Sequence, residues 1–258
     1  LLIKAIRINT LSKLTFPDMR KFKALLSDIF PGIRSEDIAY EQLEANIQLV
    51  LKEMKLCSNP NQISKVLQFY EATKQRMGVV LVGPSGCGKT TIWKVLKKAY
   101  EKMELPLKVY LINPKAIPRT QLLGNMNNDT REFSEGVLTA SSRELVKNGG
   151  TNWIVLDGDI DPEWIESLNS VLDDNHLLTL PTGERISFSN QTCFIFETDS
   201  LLYASPATVS RMGMIYLNNE DINVGNVIEK WYDGGEAPVR GWLESLDLER
   251  LLAIIEPS

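Results

Sequence analysis

Residues 83–90 read GPSGCGKT and follow a short apolar run at residues 77–82. This is the full spacing of glycine, four residues, glycine, lysine and threonine that is typical of a phosphate-binding loop. Glycines let the backbone approach phosphate oxygens closely, so that several backbone N–H groups can converge on them. The context fits as well, because an apolar strand precedes the loop and a helical stretch at residues 89–102 follows it. The motif therefore predicts a site for the phosphates of a nucleoside triphosphate.

The loop residues have distinct predicted roles in such a site. Lys89 is expected to reach the β- and γ-phosphates, and the hydroxyl of Thr90 to ligate Mg²⁺. The helix that begins there adds its positive end to the anion site. The predicted ligand is ATP or ADP with Mg²⁺. The candidate binding residues are Gly83, Pro84, Ser85, Gly86, Cys87, Gly88, Lys89, Thr90 and Thr91.

Beyond the loop, short apolar runs alternate with helical stretches, which is typical of a parallel sheet covered on both faces. The predicted strands are residues 77–82, 108–112, 153–156, 193–196 and 214–217. A further helix is expected over residues 162–172, and a hairpin over residues 177–188 around a Pro/Gly turn. The predicted fold class is α/β, with a P-loop and a five-stranded parallel sheet flanked by helices.

The first 76 residues show helical periodicity instead. Helices are expected over residues 17–30, 35–54 and 63–70. The chain is also predicted to be helical after Asn218. We therefore divide it into a helical lead-in (1–76), a large α/β subdomain (77–218) and the incomplete start of a helical small subdomain (219–258).

An acidic residue at the end of a later strand is the second element of a nucleotide site. Asp157 follows the third predicted strand and is expected to hold Mg²⁺ through water, the alternative being an ordinary surface aspartate. Hydrolysing P-loop proteins carry a glutamate after this aspartate, whereas this chain has Gly158. Asp159, Asp161 and Glu163 lie nearby, but a shift of one residue changes the direction of a side chain. The sequence supports nucleotide binding better than hydrolysis.

Three more polar residues are candidates. The fourth predicted strand would lie beside the first, where a polar residue commonly senses the γ-phosphate, and Glu197 or Thr198 fits this position unless both are loop residues. Arg211 ends a short predicted helix just before the last strand. In ring ATPases this location faces the nucleotide of the neighbouring subunit, where a guanidinium stabilises transition-state charge. The alternative for Arg211 is an ordinary surface ion pair.

Composition argues against several other classes of protein. The net charge of −5 comes from interspersed acidic and basic residues, which leaves no cationic stripe for nucleic acid. The longest apolar runs have the length of a strand, so no membrane span is predicted. Cys57, Cys87 and Cys193 lack metal-ligand spacing and fit a reducing compartment.

Taken together, the motifs closely resemble the second AAA+ module of dynein heavy chains, over nearly the whole chain. The resemblance is strongest to cytoplasmic dyneins, including the intraflagellar-transport type, and residues 6–16 are similar to the junction from the first module into the second. The segments that carry it are GVVLVGPSGCGKT at 78–90, NPKA at 113–116, QLLG at 121–124, DGDIDPEWIE at 157–166, NSVLDDN at 169–175 and SPATVSR at 205–211.

The resemblance implies a piece of a microtubule motor in which six AAA+ modules of one polypeptide form a ring. In that family the second module binds ATP tightly without turning it over, and Arg211 matches an arginine finger that would complete the first module's site. The hairpin at 177–188 and an insert at 124–137 resemble segments that touch the motor's linker. The implied location is cytoplasmic and cytoskeletal, including the cilium.

Two other functions remain as alternatives to this reading. An autonomous P-loop NTPase would hydrolyse nucleotide by itself, and the residue Gly158 argues against it. A structural scaffold would have an empty site, and the intact Lys89 and Thr90 argue against that.

Overall fold

The computed structural model describes residues 16–31, 40–127 and 129–218, together with residues 6, 10, 11 and 14. Its N-terminal part contains the helices α1 (Phe16–Ile29), α2 (Glu41–Glu53) and α3 (Pro60–Gln75). Asn59 caps α3 by accepting a hydrogen bond from the N–H of Asn61, and Pro60 occupies the first turn, where its missing N–H has no partner to lose. The predicted start of the second helix, at Ser35, and the predicted small subdomain at 219–258 lie outside the described residues.

Strands and helices alternate after α3. In chain order they are β1 (Gly78–Val82), α4 (Lys89–Lys102), β2 (Leu107–Ile112), α5 (Arg119–Leu123), β3 (Gly124–Met126), β4 (Phe133–Glu135), α6 (Val137–Asn148), β5 (Thr151–Asp157), α7 (Pro162–Ile165), α8 (Asn169–Leu172), β6 (Leu177–Thr179), β7 (Arg185–Ser187), β8 (Thr192–Thr198), α9 (Pro206–Arg211) and β9 (Gly213–Tyr216).

Five of these strands form one parallel sheet in the order β2-β5-β8-β1-β9. All five strands predicted from apolar runs are present, and the predicted α/β fold class with a five-stranded parallel sheet is confirmed. Every residue of β1 and β8 is buried. This burial explains their continuous apolar runs, because helices cover both faces of the central strands.

The two faces of the sheet carry separate hydrophobic cores. Val79 and Leu81 of β1 point into one core, which they share with α2, α3 and α4. Val80 and Val82 point into the other, which includes α6, α7, α8 and the hairpin β6–β7. The alternation follows from the two-residue period of a strand. Helices α2 and α3 thus pack on the face of the sheet that carries Val79 and Leu81, with Phe69 of α3 fully buried.

The smaller elements partly match the predictions. The hairpin predicted at 177–188 is confirmed as the antiparallel pair β6–β7, and a second hairpin, β3–β4, occupies the insert at 124–137. The helical stretch predicted over 162–172 is present as α7, a 3₁₀ turn at Glu166–Leu168 and α8. None of the helices in the described part of the chain is both long and apolar enough to cross a bilayer.

Candidate nucleotide-binding site

The predicted phosphate loop lies at the carboxyl end of β1 and leads directly into α4. Gly88, which precedes the helix, has a φ of 88°, a conformation that residues with a side chain rarely adopt. Gly83 is required for a different reason, since a Cβ there would lie 2.3 Å from the carbonyl oxygen of Leu217. Pro84, Ser85 and Gly86 are exposed at the tip of the loop. Gly88 therefore permits the turn into α4, and Gly83 permits the loop to pack against the residue that follows β9.

The side chain of Lys89 lies over this loop. Its Nζ donates to the carbonyl oxygens of Gly83 at 2.6 Å and Pro84 at 3.1 Å. It also donates to Oδ1 of Asp199 at 2.5 Å. Lys89 is only 12% exposed, whereas the side chain of Asp199 is 59% exposed. The sequence analysis missed Asp199, although it is the polar residue that directly follows β8.

Glu197 lies beneath the loop, on the strand between β1 and β5, and is 2% exposed. Its Oε2 accepts a hydrogen bond from the hydroxyl of Thr90 at 2.6 Å. Its Oε1 accepts from the indole N–H of Trp93, one turn further along α4. Burial raises the pKa of Glu197, while the hydrogen bonds from Thr90 and Trp93 act in the opposite direction. Glu197 is thus attached to the phosphate loop through Thr90.

Asp157 ends β5 with an exposed side chain and is the register partner of Glu197 on the neighbouring strand. The half-buried Thr90 lies in the first turn of α4. In the described part of the chain, no group of three or more His, Cys, Asp or Glu side chains could hold a metal ion by itself. One carboxylate and one hydroxyl fit Mg²⁺, which usually binds through one or two protein ligands together with phosphates and water.

Gly158 stands where hydrolysing P-loop proteins carry the glutamate that activates water. Its backbone φ is 152°. Only glycine adopts this region readily, so any other residue here would be strained. The Gly158 N–H donates to the carbonyl oxygen of Glu197 at 3.1 Å, which extends the link between β5 and β8. The missing carboxylate is therefore accompanied by a backbone conformation that disfavours one.

The acids that follow Gly158 have other partners. Asp159 forms an ion pair with Lys115, and this interaction raises the pKa of the lysine. Asp161 caps α7 by accepting a hydrogen bond from the N–H of Glu163 at 2.8 Å. Asn113 caps the 3₁₀ turn Pro114–Ala116 by accepting hydrogen bonds from the N–H groups of Lys115 and Ala116. Each of these side chains has a local structural role.

Three further predicted binding residues, Thr198, Thr91 and Cys87, lie in or beside the loop. The buried hydroxyl of Thr198 donates to the carbonyl oxygen of Ser200 at 2.8 Å. Thr198 touches the loop through its backbone, since its carbonyl oxygen accepts from the N–H of Gly83 at 3.2 Å. Thr91 is half-buried in the first turn of α4, and Cys87 is buried within the loop. Thr198 therefore supports the loop, and Asp199 is the neighbour whose side chain contacts Lys89.

Arg211 is the last residue of α9, directly before β9, as the sequence predicted. Its Nη1 donates to the carbonyl oxygen of Ala207 at 3.0 Å, and its Nη2 lies 3.6 Å from Oδ2 of Asp173. The side chain is 32% exposed. Both of these contacts are with residues outside the phosphate loop.

Two protein-family models match the chain. The model described as "AAA domain (dynein-related subfamily)" matches residues 78–212, which is just over half of the chain. The model described as "Hydrolytic ATP binding site of dynein motor region" matches residues 1–90. The first match includes Lys89, Asp157 and Arg211, whereas the second ends at Thr90.

Known proteins with high similarity are dynein heavy chains. Human cytoplasmic dynein 2 heavy chain 1 is 51% identical over 95% of this chain. Its counterpart in Chlamydomonas reinhardtii is 48% identical over 94% of the chain. The cytoplasmic dynein heavy chain of Dictyostelium discoideum is 38% identical over 90% of the chain. The chain spans only 5–6% of the length of these relatives.

Proposed function

This chain belongs to the dynein-related subfamily of AAA domains, and from that premise we propose that it is the second AAA+ module of a dynein motor ring. The module binds Mg-ATP or Mg-ADP and hydrolyses little of it. The segments quoted in the sequence analysis support the choice of the second module. A location in the cytoplasm and cilium is proposed from the similarity to cytoplasmic dynein 2 heavy chains.

The observation that carries the proposal is the contrast between Lys89 and Thr90 on one side of the site and Gly158 on the other. Lys89 has its ammonium at the loop mouth, where it can exchange Asp199 for a phosphate oxygen. Thr90 and Asp157 would hold Mg²⁺, which neutralises phosphate charge when bound. Gly158 has no side chain to accept a proton from water. These residues support the binding of Mg-nucleotide, and they do not support the removal of a proton from an attacking water.

Arg211 serves a different nucleotide under this proposal, that of the preceding module. Its place at the end of α9, its partial exposure and its loose contact with Asp173 leave the guanidinium able to reach a neighbour. A planar guanidinium suits the oxygens of a transferring phosphoryl group. The module would then contribute to motor ATPase activity without hydrolysing its own nucleotide.

The remaining partners are proposed from the dynein resemblance alone. Neighbouring modules of the same heavy chain would flank this one. The hairpins β3–β4 and β6–β7 would contact the motor's linker. Microtubules would be bound through other parts of the heavy chain.

Denaturing the purified chain and identifying the released nucleotide by chromatography tests the binding role. We expect ATP or ADP from the unmodified chain. Lys89→Ala should bind about 10 to 100 times more weakly, because charge-assisted hydrogen bonds are lost. Lys98→Ala, which removes an exposed lysine from the same helix, is the matched control and should bind normally. Full occupancy in Lys89→Ala would contradict the site.

The same preparation separates the alternative functions. Sustained turnover by the unmodified chain would identify an autonomous P-loop NTPase. A chain that never binds nucleotide would be a structural scaffold. Bound nucleotide with negligible turnover is the outcome that the proposal requires.

A further inference from the structure

We propose that Glu197 is a positioning residue that sets the direction of the Thr90 hydroxyl proton and thereby makes the hydroxyl a good Mg²⁺ ligand. This inference rests on the proposed binding of Mg-nucleotide. It replaces the expectation that Glu197 senses the γ-phosphate.

Both oxygens of the Glu197 carboxylate are occupied by donors from one helix. Oε2 accepts from the hydroxyl of Thr90 and Oε1 from the indole N–H of Trp93. Trp93 is itself buried, as is Glu197. The carboxylate is therefore held from two points and turned toward α4, which leaves it unsuited to following the γ-phosphate.

The chemistry of the three groups fixes the direction of the hydrogen bonds. An indole N–H can only donate, and an ionised carboxylate can only accept. The hydroxyl of Thr90 can do either; while Glu197 is ionised, it donates to Oε2 of Glu197, so its proton points toward the carboxylate. Its oxygen lone pairs are then free on the other side, where a cation needs them. Glu197 thus prepares Thr90 for metal ligation without touching the nucleotide.

A glutamine at this position would reverse the arrangement with little change in shape. Its amide has one accepting oxygen and one donating NH₂ group. The oxygen must face Trp93, because two donors cannot face each other, so the NH₂ group faces Thr90. Thr90 then has to accept, and its proton turns toward the metal position. Glu197→Gln should weaken Mg²⁺ ligation while the loop itself remains.

The experiment measures ADP affinity of the chain in Mg²⁺ and in EDTA. We expect Mg²⁺ to tighten binding in the unmodified chain. In Glu197→Gln, the ratio of ADP affinity in Mg²⁺ to ADP affinity in EDTA should be about tenfold smaller, which is the size of one charge-assisted contact. Its affinity in EDTA should stay within about twofold, because Lys89 and the loop are unchanged. Glu101→Gln, at the far end of α4, is the matched control and should behave like the unmodified chain.

Trp93→Phe supplies the decisive second variant. Removing the indole N–H in the Glu197→Gln background lets the glutamine turn its oxygen to Thr90. The double variant Trp93→Phe/Glu197→Gln should therefore recover the Mg²⁺-dependent tightening that Glu197→Gln loses. A merely structural role for Glu197 predicts the opposite, since two core changes should weaken binding more than one.

Each outcome bears on the proposal. Unchanged Mg²⁺-dependent tightening in Glu197→Gln, or no recovery in the double variant, would overturn it. If Glu197→Gln fails to fold, the double variant decides alone, because its tightening must equal that of the unmodified chain. Absence of ADP binding by the unmodified chain would instead overturn the proposed function, so the two failures can be told apart.

Discussion

The part of the nucleotide site expected to bind phosphates contains more functional side chains than the part expected to activate water. On the phosphate side, Lys89 and Thr90 are connected to the loop carbonyls, Asp199 and Glu197 by hydrogen bonds. On the water side, Gly158 offers no side chain, and Asp159 is paired with Lys115. Holding phosphates and activating water are therefore separable in one fold, because they use the ends of different strands.

The contrast extends to the backbone. The glycines of the loop allow close approach of N–H groups to phosphate, whereas Gly158 has a φ that a glutamate could adopt only with strain. If the module hydrolyses little nucleotide, as proposed, adding hydrolysis would require more than a single side chain. The following predictions test this difference, from the largest expected effect to the smallest.

Arg211→Ala in the complete motor should slow its ATPase about a thousandfold, the contribution of a trans-acting arginine in related phosphoryl transfer. Nucleotide bound to this module should remain, because Arg211 contacts Asp173 and Ala207 rather than the loop. Steady-state turnover, with and without microtubules, and occupancy of this module provide the measurements.

Two further variants sharpen this result. Arg211→Lys keeps the charge but loses the planar fork, so it should recover little activity. Asp173→Asn removes only the partner within the chain and should leave turnover near normal. Normal turnover in Arg211→Ala would refute the proposed action of Arg211 on the preceding module's nucleotide. Loss of the nucleotide bound to this module would mean that Arg211 acts in the site of its own chain.

Gly158→Glu should remain inactive in hydrolysis although it adds the missing carboxylate. The strained backbone should lower the free energy of unfolding by about 1–3 kcal/mol. Gly158→Ala is the matched control, because it carries the same strain without a carboxylate. Urea unfolding measures the loss of stability in both variants, and phosphate release measures their hydrolysis. Turnover in Gly158→Glu but not in Gly158→Ala would show that the water side lacks only a side chain.

Asp199→Asn should tighten ADP binding slightly. Asp199 pairs with Lys89 and therefore competes with phosphate for its ammonium. A partly exposed ion pair is worth up to about 1 kcal/mol, so the gain should be about two- to fivefold. Asp174→Asn makes the same charge change at an exposed residue elsewhere. Weaker binding in Asp199→Asn alone would mean that Asp199 helps to hold the ligand.

The place of the phosphate loop between β1 and α4 could be predicted from sequence, because eight consecutive residues contain both its glycines and its polar side chains. Glu197 was a candidate from sequence, but its hydrogen bonds with Thr90 and Trp93 were not predicted. Asp199 was not found, since it lies 110 positions from Lys89 and only the pairing of β8 with β1 brings them together. No local pattern could predict that ion pair.

The sequence by itself determined the parallel sheet, the phosphate loop and the absence of a glutamate after Asp157. Periodicity and local spacing carry this information, because each depends on residues close together in the chain. Only the tertiary structure decided that Glu197 accepts a hydrogen bond from Thr90, that Asp159 pairs with Lys115 and that Arg211 lies close to Asp173. These contacts depend on strand order and register, which bring the ends of distant strands to one edge of the sheet.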